Sequence, residues 1–399
     1  MKQIQQQLLP MERLTREPGH HFFGYYDLQP WSADGRHHLC HRVGFRDRLP
    51  AATDRAELGM IRMHDGCFIP LAETHAWNFQ QGSMLQWNPA RPDDEIIYNT
   101  IAGGAFKGVI QNIVTGEKRL FSRPVSNIDP TGRWGLSTNF SRQFDFRPGY
   151  GYAGIDDPFK HEPAPADDGV FLIDLATGES RLILSLESFR PWFPDVPPLA
   201  DKLMLNAITF NTDGTRFLAL VRNMPRPGAP RVHWTSVVLT ANADGTGVHR
   251  LLGPGYVSHY HWRDPGHVLF FATPDGREKG GLYVLRDREP GGAPESVDPA
   301  YFTFDGHCNY SPDRNFLLYD SYPDSDGYRK LLLYDLRKRQ GHTLAILSSD
   351  RMDEIPTSDI RCDLHPRWNR DGTAISFDSI HENHRHIYWM DVTSIVSKG

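Results

Sequence analysis

The chain has 399 residues, 39% hydrophobic and 12% aromatic, enough apolar side chain to bury a sizeable core. Its net charge of −6 comes from interspersed signs with no Lys/Arg block, which argues against a nucleic-acid groove and a nucleic-acid partner. No stretch approaches the roughly 18 apolar residues of a membrane helix, and the opening MKQIQQQLLPMERLTREPGHH carries charge where a signal peptide is apolar, so a cytoplasmic chain with no membrane partner is expected.

One pattern recurs along the chain: an aromatic or apolar residue, a polar residue, a turn with Asp or Gly, then a β-rich run. It begins at Trp31 (WSADGRHHLCHRV), Trp87 (WNPARPDDEIIYN) and Ile128 (IDPTGRWGLSTNF). It returns at Phe210 (FNTDGTRFLALVR), Trp262 (WRDPGHVLFFA), Tyr310 (YSPDRNFLLYD) and Trp368 (WNRDGTAISFD). Most copies are followed by a second apolar pair of strands around a polar turn, as in GVIQNIVTGEKRLF and GVFLIDLATGESRLIL. Asp-Gly and Thr-Gly between alternating strands are hairpin signals, and two hairpins make a four-stranded unit. Seven such units predict an all-β fold, a single seven-bladed β-propeller of four-stranded antiparallel blades over residues 1–399. The last hairpin stops at Asp391, so blade 1 is expected to take strand material from both chain ends. An insertion at about 141–168 is expected to form a lid over the channel mouth. The four cysteines (Cys40, Cys67, Cys308, Cys362) have no C-x-x-C spacing and are expected to be free thiols.

In a propeller, equivalent positions of successive blades meet on one rim of the central channel. Histidine-bearing motifs sit just before the first hairpin turn of successive units: VSHYHWRD from Val257, DGHCNYSPD from Asp305 and RCDLHPRWNRDG from Arg361. His259, His261, His307, Asp363 and His365 are therefore expected to cluster. Imidazoles and a carboxylate converging from three blades suit a divalent cation, manganese first, with calcium or zinc as alternatives. A lone histidine would more readily be read as a packing residue. Arg142, Arg147, Tyr150 and Tyr152 lie on the insertion, where Arg142 and Tyr150 are candidates for binding an anionic substrate. His41 and Gln81 are further candidates, and each is equally explained by packing.

The fourth to seventh units resemble the oligogalacturonate lyases, a family of seven-bladed propellers. Ser258-His259-Tyr260-His261-Trp262 looks like the family motif that carries its Brønsted base, DGHCNYSPD places His307 at a metal-binding histidine, and Asp363-Leu364-His365-Pro366 is similar to its His-Pro-His-Pro tract. The likeness implies His259 as base, with His307, Asp363 and His365 as metal ligands and His261 as ligand or supporting residue. The family's metal-ligating Gln upstream of that tract has no counterpart in Asp359-Ile360-Arg361-Cys362. Arg231 is the candidate nearest to the family's substrate arginine. The activity implied is metal-dependent β-elimination on an acidic, uronate-containing oligosaccharide. In that chemistry the cation or an arginine neutralises the carboxylate and a neutral histidine removes the adjacent proton. Two other classes remain open on the residues: a non-catalytic propeller of the Tol type, and a uronate isomerase or epimerase sharing the proton abstraction.

Overall fold

A computed structural model of the chain describes residues 4–193, 201–225, 235–274, 280–289 and 293–397. Its strands form seven antiparallel sheets in sequence order, the blades of one propeller. Strand content is 45% and helix content 6%, far below the roughly one-third helix of an average domain. The seven units read from the sequence are the seven blades.

Each unit's Asp-Gly or related turn joins the innermost strand to the second. In blade 1, His20–Phe22 pairs with His37–Val43; in blade 7, Arg367–Trp368 pairs with Ala374–Ser379. Gly35 and Gly372 in two of these turns take φ of +68° and +74°, a conformation glycine adopts without a Cβ penalty. The second strands are buried on both faces, as in Phe316–Asp320, because each blade is sandwiched between neighbours. Apolar clusters span those sandwiches: Leu318 and Leu331 of blade 6 pack with Trp368 and Phe377 of blade 7. Hydrophobic burial between blades, not within one sheet, is thus what closes the ring.

The ring closes differently from the expectation. Blade 1 is contiguous, from His20–Phe22 through Cys67–Thr74. Blade 7 instead takes the N-terminal strand Glu12–Arg13 as its outermost member, against His386–Asp391. The preceding strand, Ile4–Gln7, adds a fifth strand to blade 6, against Gln340–Ser348. Both additions are short and exposed, so no apolar alternation marks them in the sequence.

The insertion in blade 3 opens with a helix, Phe140–Phe146, capped by the Asn139 side chain accepting from Arg142 N–H. It packs into the body: Tyr152 stacks on Phe140 with ring centroids 4.3 Å apart, and Phe146 meets Met204. All four cysteines are free thiols, three of them buried.

Candidate functional site

Three histidines from three consecutive blades stand in a row at the channel. His259 lies on the innermost strand of blade 5, Val257–Asp264. His307 precedes the innermost strand of blade 6, and His365 that of blade 7. Ring centroids are 4.2 Å apart between His259 and His307, and 4.3 Å between His307 and His365. Equal offsets from equivalent strands put them together although about a hundred residues separate the ends of the row.

Carboxylates orient two of the rings. His259 Nδ1 is 2.9 Å from Asp305 Oδ1, and Tyr256 donates its hydroxyl to Asp305 Oδ2 at 3.0 Å. His307 Nδ1 is 3.0 Å from both oxygens of Asp320, which also accepts from His307 N–H at 2.7 Å. Both rings therefore turn Nε2 away from their carboxylate, the arrangement by which a second carboxylate fixes a ligand or base histidine. Burial lowers the His259 pKa, and Asp305 opposes that shift.

Beyond His307 the group becomes fully buried. One ligand atom each from His307, Asp363 and His365 lies within 4.8 Å of the others. His307 Nε2 and both ring nitrogens of His365 are buried without a hydrogen-bond partner, a costly state for polar atoms with nothing to bind. His365 adopts φ of +41° immediately before Pro366, where extended backbone is usual; such strain persists where surrounding structure enforces it. Asp363 is flanked by Arg329 Nη1 and Arg361 Nε, each 2.8 Å from one of its oxygens but off the hydrogen-bonding direction. Burial pushes its pKa up, yet Arg361 and Arg329 outweigh that and hold the carboxyl well below the usual range. The donor set of two imidazoles and one ionised carboxylate fits a divalent cation with open positions, although Asp363 is shared with two guanidinium groups.

A cavity of about 170 Å³ opens over this row, with His259 in its wall. Tyr25 and Tyr322 also line it, and both rings contact His307, with centroids 5.9 and 6.3 Å away, so the buried group lies one layer beneath. Arg147 and Arg222 also line it and donate to the Asn206 side-chain oxygen at 2.9 and 3.3 Å, and Arg222 donates to the Val257 carbonyl at 3.0 Å. Arg147 lies over the Tyr150 ring at 3.9 Å, and the Tyr150 hydroxyl accepts from Arg361 at 3.3 Å. Burial lowers the Arg222 pKa to about 10, which still leaves it a cation at neutral pH.

Of the residues predicted from sequence, His259, His307, Asp363 and His365 are brought together, and Tyr150 lines the same cavity. His261 is not in the group: two residues further along the strand, it lines separate cavities, its Nδ1 is 3.5 Å from Tyr310 N, and burial lowers its pKa to about 4. Arg142 does not face the channel either. Its guanidinium is spent on Asp157 and on the carbonyls of Leu203, Phe159, Glu162 and Pro163, where it ties down the insertion. His41 is a packing residue, stacked on Phe22 at 4.9 Å and 2.9 Å from the Ser83 hydroxyl. Gln81 borders a different recess of the channel, about 20 Å³ in volume. Arg231 lies outside the described residues. Asp305, Asp320, Arg222 and Tyr322 escaped the sequence reading, although the first three stand inside quoted motifs: Asp305 opens DGHCNYSPD, Asp320 ends YSPDRNFLLYD and Arg222 ends FNTDGTRFLALVR.

No protein-family model and no curated protein matches the sequence. Among solved structures, an oligogalacturonate lyase in complex with manganese aligns at TM-score 0.68 and 13% identity, over 98% of this chain and 94% of that one. The oligogalacturonate lyase of Vibrio parahaemolyticus aligns at TM-score 0.65 and 13% identity, over 98% and 96%. The tricorn protease aligns at 0.53 and 11%, over 95% of this chain but only 34% of its own. The chain therefore has the seven-bladed fold of the oligogalacturonate lyases over almost its whole length.

Proposed function

We propose that this propeller is a metal-dependent lyase that cleaves uronate-containing oligosaccharides by β-elimination. The observation that carries the reading is the juxtaposition of His259, braced by Asp305 in the cavity wall, with buried His307 and His365, where His307 Nε2 and both His365 ring nitrogens lack partners. The solved lyase that aligns with this chain binds manganese, and manganese is the cation proposed here.

In a uronate the proton on C5 is weakly acidic because the adjacent carboxylate resists further negative charge. Arg222 and Arg147, which line the same cavity as His259, supply positive charge for that carboxylate. His259, kept neutral near pH 7 by burial, accepts the C5 proton at Nε2, and Asp305 steadies the imidazolium that results. The C5–H electron pair becomes the C4–C5 double bond, the C4–O bond breaks, and the leaving oxygen takes up a proton. Tyr322 on the same wall is suited to give it, since burial keeps its hydroxyl protonated. A cation held by His307, His365 and Asp363 would stabilise the charge that grows on the carboxylate in the transition state.

Protein purified without a His-tag, reloaded with manganese and screened against uronate oligosaccharides should generate the ultraviolet absorbance of a new C4–C5 double bond. Metal-loaded protein that binds such oligosaccharides yet never produces the double bond would refute a lyase. Interconversion of uronates without that absorbance would point to an isomerase or epimerase.

A further inference from the structure

Where the ring closes, the start of blade 1 and the last strand of blade 7 face each other through four histidines. His21 N–H donates to the Arg385 carbonyl at 2.7 Å, and Arg385 N–H donates to His20 Nδ1 at 3.3 Å. The His20 ring lies 5.3 Å from His384, and His21 stacks against His386 at 5.7 Å. His384, in the bend before the strand, and His386, at its start, have rings 6.0 Å apart, while Arg385 between them is buried against Asp378. From the loop that enters blade 1, a Glu17 carboxylate oxygen sits 3.0 Å from His384 Nδ1. One ligand atom each from Glu17, His384 and His386 lies within 4.8 Å of the others.

His386 gives an independent sign that this place is built for a ligand. The residue is fully buried, and its Nε2 has no hydrogen-bond partner. Its Nδ1 lies 3.0 Å from the Thr15 hydroxyl, which can accept the Nδ1 proton and so leave a lone pair on Nε2.

We propose that Glu17, His384 and His386 form a second divalent transition-metal site, of the zinc class, that fastens the N-terminal segment to the last blade. Two imidazoles and a carboxylate select zinc, cobalt, nickel or copper over calcium and magnesium. Metal–ligand bonds of about 2.0–2.1 Å place tetrahedral ligands about 3.4 Å apart, so the 3.0 Å contact and the 4.8 Å limit need only small side-chain shifts. No residue is shared with the His307 group. The site lies at the ring seam, where blade 7 is completed by the two-residue strand Glu12–Arg13 against Trp389 and Tyr388. Metal bound to the folded chain alone stabilises it by mass action, so the ring seam should tighten as metal is added.

Metal-stripped full-length protein, titrated with zinc by calorimetry and followed by Tm, tests this. The variant E17Q/H384A alters two side chains that are 57% and 46% exposed, so its metal-free Tm should match the parent. It should lose one zinc equivalent, about 100-fold or more in affinity at that site, and the zinc-induced rise in Tm. H307A should keep both of those properties. With cobalt, the parent should show tetrahedral d–d absorption that the double variant lacks. If E17Q/H384A or the gentler H384Q binds as many equivalents as the parent with the same Tm response, the proposal is overturned. It is equally overturned if H307A abolishes all zinc binding.

Discussion

Asp305→Asn probes the base most directly. In the native chain Asp305 accepts from Nδ1–H of His259 and from the Tyr256 hydroxyl, so the lone pair is on Nε2 of this cavity-lining histidine. An asparagine can still accept from Tyr256 through its oxygen, which leaves its amide N–H toward His259. That donor favours the opposite tautomer, with the proton on Nε2, and a base that already carries its proton cannot act. The loss should be about 10²–10⁴-fold in turnover, the range for a misoriented histidine and for general base catalysis. The buried charge-assisted bond is also lost, at about 1.5–3 kcal/mol of stability. The pH profile carries the sign. Asp305 raises the His259 pKa against burial, so its neutralisation should move the acid limb of kcat/KM to lower pH, not higher. Steady-state rates across pH, with Tm measured alongside, check both effects. Turnover within about threefold of the parent, in a folded variant, would show that His259 is not the base.

Other outcomes follow from the same geometry. His307→Ala should abolish manganese binding in the channel and turnover together, measured by metal analysis and double-bond absorbance, while Asp320→Asn should weaken binding by about 10–100-fold without emptying the site. Arg222→Ala should raise KM for acidic oligosaccharides by about tenfold or more with a smaller change in kcat, and Arg222→Lys should restore part of it; equal loss for a neutral sugar would contradict the carboxylate role. Acid should unfold the chain early. His38 and His41 are fully buried with pKa lowered from 6.5 to about 3, so the unfolded state binds their protons first. Their stabilisation is intact above pH 6.5 and is lost as pH falls toward 3, at about 1.4 kcal/mol per pH unit for each, a slope that denaturant titrations can read.

The repeat was legible because each blade announces itself locally, through a polar turn, with a positive-φ glycine in four of them (Gly35, Gly132, Gly214 and Gly372), followed by a largely buried strand. The histidine row was legible for the same reason, since equal offsets in three repeats become neighbours once the ring closes. Closure itself was not, because Glu12–Arg13 and Ile4–Gln7 are exposed along their length and present no buried pattern. The misplaced residues failed on orientation, which spacing does not encode. Arg142 stands on a helix that turns it into the insertion, while Arg147, just past that helix, reaches the cavity. His261 shares a strand with His259 but sits two residues further along the channel. Asp305 and Asp320 are visible as letters, yet nothing in their spacing says that each faces a histidine ring.

Why the channel is so polar follows from what burial costs. Two Arg–Asp–Arg sets are buried there: Arg329 and Arg361 on Asp363, and Arg367 and Arg385 on Asp378. Replacing such sets by well-packed apolar side chains is often neutral or stabilising, so stability alone does not account for them. Their contacts suggest what does. Arg367 donates to the carbonyls of Gly24 and Tyr25 at 2.7 and 3.4 Å, which fixes the loop carrying Tyr25, and Arg385 donates to that of Phe79 at 3.1 Å. Tyr25 in turn packs its ring 5.1 Å from His365 and lines the cavity. The outer set thus holds the aromatic wall while the inner set holds the carboxylate beside the histidines. If this division is right, Asp378→Asn should loosen Tyr25 and impair turnover without removing a metal ligand. Asp363→Asn should remove the ligand and leave Arg329 and Arg361 facing each other. Metal content separates the two variants: retained in the first and reduced in the second, with the opposite pattern refuting the assignment.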